Sequence, residues 1–533
     1  MRSLSFFSTL ISTTLLVTQV LADAKEYTLN VGNAYIAPDG FYRSASVANG
    51  QFPGPLLSAT KGDSMKVTVN NQLSDSRMRR STSIHWHGIF QTHNSYNDGP
   101  AFVTQCPIAP GNSYTYDINI GDQAGTYWYH SHLSSQYVDG VRGPLVIYDP
   151  DDPHKALYDV DDESTIITLA DWYHRFAPDL QAEYLSPNNT LSREQLPDCG
   201  TINGIGRYKN GPTVDRAVIN VEAGKRYRFR IINASAIGLF RFSLEGHSFT
   251  VIEADGVNMV PYPANYLEIS PGQRYSIVVT ASQAVANYWI RAPLLNGSGN
   301  NANLDPTNVF AVMRYAGAPV AEPTTATGFA SGTKLQEVAI VPLENPGAPG
   351  LPVNGGADKV FNLAFTLQGG NVAANTGVMW KVNGRAYQPP SVPTLLKVLS
   401  GASTNDDFDA SENSFVIASG DVVEINISGV NNPHPFHLHG HTFDVVRQNG
   451  VANYVNPPRR DVVTTGPGTT TIRFKADNPA PWILHCHIEW HLEGGLAVVF
   501  VEDPDGQRND PIQPSLAWEN LCPIYNALAP ELQ

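Results

Sequence analysis

Three stretches of this chain repeat one another. DQAGTYWYHSH, from Asp122 to His132, aligns without gaps on DNPAPWILHCH, from Asp477 to His487. A third copy, ANYWIRAP, carries Arg291, Ala292 and Pro293 where the first carries His130, Ser131 and His132. GHSFTVIEADGV, starting at Gly246, likewise matches GHTFDVVRQNGV, starting at Gly440. Self-similarity of this kind means that one supersecondary plan is used three times. Runs such as KVTVNNQL, YRFRIIN, YSIVVTAS and VVEINISG alternate apolar with polar residues between turn residues, and long helical periodicity is scarce. That is the pattern of β-sandwiches. With 533 residues the chain has room for three cores. It is expected to be all-β, with units over 23–152, 153–320 and 321–533 that meet near the turn-rich DPDDPHKALYD and GAPVAEPTTATG.

The middle copy is an internal control. It keeps the scaffold pattern and lacks the paired histidines, so those histidines are not needed for folding and serve function instead. The same comparison assigns His441 to structure, because its counterpart His247 persists in the middle copy.

The first residues give Arg2, an apolar stretch to about Leu21, and small side chains at Val20, Ala22 and Ala24, the layout of a secretory leader cleaved near Ala22. The apolar part is shorter than the roughly 20 residues a membrane span needs. Residues 1–22 are therefore expected to be a signal peptide, and the mature protein secreted, extracellular and not membrane-bound. Asn188, Asn233, Asn296 and Asn426 begin Asn-x-Ser/Thr sequences and are candidates for glycosylation on that route. A formal charge of −15 excludes a polyanion such as nucleic acid as partner, since binding one needs a basic face. The cysteines are Cys106, Cys199, Cys486 and Cys522, too few for a disulfide-built scaffold.

Ten of the fifteen histidines gather in four clusters: His85 and His87 in SIHWHGI, His130 and His132 in YWYHSHL, His434, His437 and His439 in NPHPFHLHGH, and His485, His487 and His491 in LHCHIEWHLEGG. In a strand, alternate side chains share a face, so each His-x-His pair is a two-pronged ligand. Four pairs supply eight imidazoles, twice what a closed zinc site takes, and predict a multinuclear cluster. Parity turns Cys486 away from His485 and His487. The odd spacing of His434 from His437 turns it away from the cluster as well, although Pro435 loosens strict parity there. His491 follows Cys486 across IEWH, and the succeeding LEGG suggests a loop, where strand parity no longer applies. His434, Cys486 and His491 then make the trigonal set of a blue-copper site. Leu496, five residues beyond His491, stands where such sites usually carry methionine and cannot coordinate, which predicts a more oxidising potential. A cysteine nucleophile needs one base rather than ten histidines, and zinc hydrolysis leaves the thiolate unexplained.

HWHGIFQ, DGPAFVTQCPI, GTYWYHSHLSSQYVDGVRGPLVIYDP, HPFHLHGHTFDVV and HCHIEWHLEGGLAVVFVEDP together resemble the multicopper oxidases, most closely the secreted fungal laccases, from about residue 27 to the end. The resemblance implies three cupredoxin-like Greek-key domains holding four copper ions. His434, Cys486 and His491 would bind type 1 copper, and His85 and His437 type 2. His87, His130, His132, His439, His485 and His487 would bind the type 3 pair. It also implies Asp98 and Glu489 as carboxylates serving the cluster with protons, a disulfide between Cys106 and Cys522, dioxygen as co-substrate, and small phenols or aromatic amines as reductants. A monomer active in the breakdown of lignin or other phenolics is the expectation that follows. The chain departs from the pattern at Val138 and Ala236, where many relatives have a second disulfide, and leaves Cys199 over, expected as a buried thiol with an intermolecular bridge as the alternative. Asp215 lies near the segment that supplies an acid to the substrate pocket, but the spacing of KNGPTVD differs and the role is not carried over. Two rival readings are a ferroxidase-like member of the family and a copper electron carrier without oxidase turnover.

Overall fold

The computed structural model describes residues 24–296, 301–325, 328, 330–429 and 432–533, so the expected leader lies outside the described residues. The β-sandwich plan recurs three times with one ladder. In the first unit the strand Gly125–Ser131 pairs antiparallel with Arg142–Tyr148, which takes Leu57–Thr60 as a parallel neighbour. In the middle unit Asn287–Arg291, Phe310–Tyr315 and Val218–Val221 repeat this arrangement. In the third, Ala480–Cys486, Ala497–Glu502 and Ser414–Ile417 do so again. An early strand lying parallel beside the last one is the long return of a Greek key. Each unit closes with a second sheet that also contains one parallel pair, such as Ala24–Ile36 with Ser64–Gln72.

The register makes the internal control explicit. His85 lies opposite His130 and His437 opposite His485, whereas the equivalent pair in the middle unit is Ser243 opposite Arg291. The sheet is the same and the ligands are gone. His247 and His441 sit in matching structural roles: His247 bonds Tyr315, and His441 pairs with the buried Glu502.

The units share more than linkers. Trp518, Leu521 and Tyr525, near the C-terminus, pack into the first core with Trp86 and Tyr116. Cys106 and Cys522 form the expected disulfide across 416 residues. The third core takes in Val138 from the first unit and Ala236 from the middle one, so apolar packing stands where a second bridge was absent from the sequence. Cys199 is buried and its thiol lies 3.3 Å from Asp39 Oδ2. Between the first and middle units, the fully buried Glu253 accepts Thr126 N–H at 2.6 Å and pairs with Arg228 at 2.5 Å.

One glycosylation candidate needs correction. Asn233 is fully buried and its Nδ2 donates to Gly238 O and Ile269 O, so no glycan can reach it. The Nδ2 of Asn296 donates to Ile237 O at 2.6 Å, and the Ser298 of its sequon lies outside the described residues. Asn426 is half-buried in a strand, with Nδ2 3.1 Å from Asn362; Asn188 is exposed. Among the described residues no helix is long and apolar enough to cross a membrane.

Candidate metal centre

Strand parity divides the chemistry of His485-Cys486-His487. Cys486 turns into the third core, while His485 faces the junction with the first unit. The Cys486 Sγ lies 3.6 Å from His434 Nδ1 and 3.5 Å from His491 Nδ1, and those two nitrogens are 3.1 Å apart. The residues after Cys486 form a short helix, Glu489–Glu493, rather than the expected loop. One helical turn brings His491 back beside the cysteine it follows, which an extended chain cannot do. Leu496 is fully buried and pinned between the two: its N–H donates to His491 O at 3.0 Å and its carbonyl accepts Cys486 N–H at 3.1 Å.

The other eight imidazoles converge between the first and third units. His87, His130 and His487 form one group; His132, His439 and His485 form a second; His85 and His437 meet beside His87. Within each group the ligand atoms lie within 4.8 Å of one another. His85 stacks on His439 at 3.9 Å and His87 on His437 at 3.8 Å, so rings from the two units interleave. Hydrogen bonds on the outer edges decide which nitrogen faces inward. The Nδ1 atoms of His85, His437, His130 and His485 bond the carbonyls of Asp98, Asp461, Ser131 and Cys486 at 2.8 to 3.0 Å. His439 Nδ1 bonds Asp98 Oδ2 at 2.8 Å. These five therefore present Nε2. His87 is reversed, with Nδ1 3.2 Å from His487 Nε2 and Nε2 3.5 Å from Asp461 Oδ1.

This donor set fits metal ions and fits little else. Nε2 of His85, His130, His132 and His437 is buried without a hydrogen-bond partner, an arrangement that buried polar atoms normally avoid. Burial, reinforced by neighbouring imidazoles, holds His87, His130, His132, His437, His439 and His487 far below the usual histidine range. It also lowers His485 to about 4 and His434 to about 2. All eight of these rings are neutral at physiological pH, the form that ligates metal. Burial likewise raises the Cys486 thiol, so a cation must displace its proton before the sulfur can act as thiolate. His, Cys and His in a trigonal set match copper, and imidazole suits it equally.

Three acidic residues contact these rings, and a fourth, Glu489, lies between two of them in the chain. Asp98 is buried and joins His85 of the first unit to His439 of the third. Glu489 is buried at the start of the short helix, its Oε1 has no partner, and burial together with nearby Glu493 raises its pKa well above the usual carboxyl value. Two others carry no recognisable motif. Asp461 supports His437 and His87 as described above. Glu194, in the irregular LSREQLPDC segment, takes a 2.6 Å hydrogen bond from His491 Nε2. Burial raises the Glu194 pKa, but the hydrogen bond and the electrostatic attraction of His491 together outweigh it and the net shift is downward. Glu194 lines a cleft of about 380 Å³ together with Tyr173, His174, Arg175, Leu196 and Asn303. Asp215 lines a different cleft, beside Ile36 and Phe52. The acid at the edge of the cysteine site is thus Glu194, and only the folded chain brings it there.

Models of the multicopper oxidase family match residues 30–152, 163–318 and 387–506. The chain is 53% identical to Laccase-4 of Thanatephorus cucumeris, with 90% of each chain covered. It is 51% identical to Laccase-2 of Pleurotus ostreatus, with 93% of each covered. Among solved structures, the laccase from Botrytis aclada superposes with a TM-score of 0.82 at 33% identity, covering 96% of this chain and 93% of that one. Fet3p, a multicopper oxidase that functions in iron import, superposes with a TM-score of 0.85 at 29% identity, covering 96% and 98%.

Proposed function

The chain belongs to the multicopper oxidase family, and from that premise we propose that it is a laccase, taking single electrons from phenols and aromatic amines and reducing dioxygen to water. His434, Cys486 and His491 hold type 1 copper in this reading. His85 and His437 hold type 2, and the groups His87, His130, His487 and His132, His439, His485 hold the type 3 pair. Bound there, copper supplies one-electron chemistry at the first site and the four-electron reduction of dioxygen at the cluster. The observation that carries the reading is the shared strand: Cys486 reaches one donor set while His485, its main-chain neighbour, belongs to the other.

The chain's own groups do the rest. Glu194 accepts the His491 Nε2 proton and so keeps Nδ1 free for the metal, while its second oxygen is left to receive the proton a phenol loses on oxidation. Cys486 is joined through its own main chain to His485 and His487, a short covalent route from the reducing edge to the cluster. Asp98 holds His85 and His439 in register across the unit junction. Glu489, whose pKa burial raises, is the carboxyl group that supplies protons for the reduction of oxygen in this reading. Leu496 keeps a donor sulfur away from the cysteine site. Secretion, a monomeric state and a role in breaking down lignin-derived phenolics belong to the same reading.

Glu194 on the edge of His491 also favours Fe(II) as an alternative reductant, since a carboxylate there can bind and orient the cation; the structural likeness to a protein of iron import points the same way. Turnover of Fe(II) and of a dimethoxyphenol by the copper-loaded protein, at equal concentration, separates the two. A laccase has the higher kcat/KM on the phenol; the reverse order assigns a ferroxidase, and visible thiolate absorption without oxygen uptake assigns an electron carrier.

A further inference from the structure

The middle unit lost its copper ligands and kept its place beside them. Its Arg274 is fully buried where the three units meet. Nε donates to Thr126 O of the first unit at 3.0 Å, and Nη1 to Gly272 O of the middle unit at 3.0 Å. The two terminal nitrogens take both carboxylate oxygens of Asp461 in the third unit at 2.6 Å each. Asp255, also buried, seats this fork: it accepts Arg274 N–H at 2.8 Å, pairs with Arg460 at 2.8 Å and accepts Val462 N–H at 3.2 Å. Asp461 is therefore held on both sides of its Cα. That rigidity is passed to two rings: the Asp461 carbonyl fixes His437 Nδ1, and its Oδ1 faces His87 Nε2. The carbonyl bond makes His437 present Nε2, and the 3.5 Å approach, longer than a hydrogen bond, accompanies a His87 ring turned with Nδ1 toward His487.

Resting on the copper assignment above, we propose that Arg274 is a positioning residue for the type 2 side of the cluster, acting through Asp461 to set the orientation and tautomer of His437 and His87. The middle unit is then a working part of the centre rather than a spacer. A guanidinium is needed because four acceptors in three units are reached by one planar fork, which a single ammonium cannot reproduce. Gly88, next to His87, lies against the same pair: a side chain there would meet Arg274 Nη2 at 2.6 Å and Asp461 Oδ2 at 2.9 Å. Gly88 and Asp255 also line a cleft of about 650 Å³.

The test compares copper-loaded wild type with Arg274→Lys and, as a control for disrupting a buried ion pair elsewhere, Arg473→Lys, whose guanidinium pairs with Glu424 in the third unit. Loss of an outer partner of a metal-binding ring typically weakens metal affinity by about 10-fold to 100-fold. Arg274→Lys is expected to lose type 2 copper at that ratio or to change the hyperfine splitting of its paramagnetic signal, while the visible type 1 band per chain stays at the wild-type level. Arg473→Lys is expected to change neither. If Arg274→Lys fails to fold, Asp461→Asn keeps the carbonyl and weakens the clamp, and the same change in the type 2 signal is expected of it. Wild-type affinity and hyperfine splitting in the folded variant would overturn the role of Arg274. A wild type that shows no type 2 signal would overturn the copper assignment instead.

Discussion

Gly272 allows the contact between the middle unit and the cluster to be tested by adding one carbon atom. It sits at φ +83, and a Cβ built on it would lie 2.7 Å from His487 Cδ2, 3.1 Å from His487 Cγ and 3.1 Å from His87 Cε1. Carbon atoms pack at roughly 3.5 to 4.0 Å. Gly272→Ala must therefore push the His487 ring by about 1 Å and the His87 ring by roughly half as much, and the left-handed backbone adds roughly 1 to 3 kcal/mol of strain. A displacement of about 1 Å at a reacting centre can cost on the order of 100-fold in rate. The expectation is a rate of reoxidation by dioxygen about 100-fold lower in rapid-mixing experiments, with anaerobic bleaching of the type 1 band by a phenol unchanged. Gly224→Ala separates strain from contact, because Gly224 has φ +87 and a Cβ added there would meet nothing within 4 Å. It should share the loss of stability and reoxidise at the wild-type rate. Equal reoxidation by the two variants would refute the placement of the middle unit against His487 and His87.

Asp98→Asn retains a hydrogen-bonding side chain while removing the charge that faces His85 and His439; it should slow the oxygen step and leave reduction of type 1 copper intact, and equal oxygen-step rates in variant and wild type would count against it. Glu253 bears on acid stability. Burial raises its pKa, but Arg228 and Arg230 outweigh it and carry it from 4.5 down to about 2, a difference of about 3 kcal/mol. A depressed carboxylate stabilises the fold above the unfolded value, and that contribution is lost as pH falls from about 4.5 to about 2. Glu253→Gln should therefore be less stable at neutral pH by up to about that amount and show a flatter loss across the acid window in chemical denaturation; a parallel pH profile would exclude Glu253 as its source.

How much of this was legible in the sequence depends on the range of the signal. Strand alternation and the gapless repeat are local, and they pointed to the three sandwiches, the ligand-free middle unit and the turning of Cys486 away from its neighbours. His491 is legible as a candidate ligand but its local structure is not, because a five-residue helix leaves no periodicity to read. Glu194, Asp461 and Arg274 had no motif: each acts through a partner more than a hundred residues away or across a unit boundary, or supports one ring by its carbonyl, and main-chain roles leave no mark on residue type. The glycosylation pattern failed at Asn233 for the converse reason. The tripeptide is local, but whether it meets solvent is decided by packing, and there the Asn233 amide is committed to two buried carbonyls.

The central claim is that one chain couples single-electron oxidation at the cysteine site to complete reduction of oxygen at the histidine cluster. Oxygen uptake and peroxide release, measured together with the amount of phenol oxidised by copper-loaded protein, test it directly. The account predicts one dioxygen consumed for every four one-electron oxidations, with no peroxide released. Stoichiometric peroxide, or phenol oxidation without oxygen uptake, would contradict it.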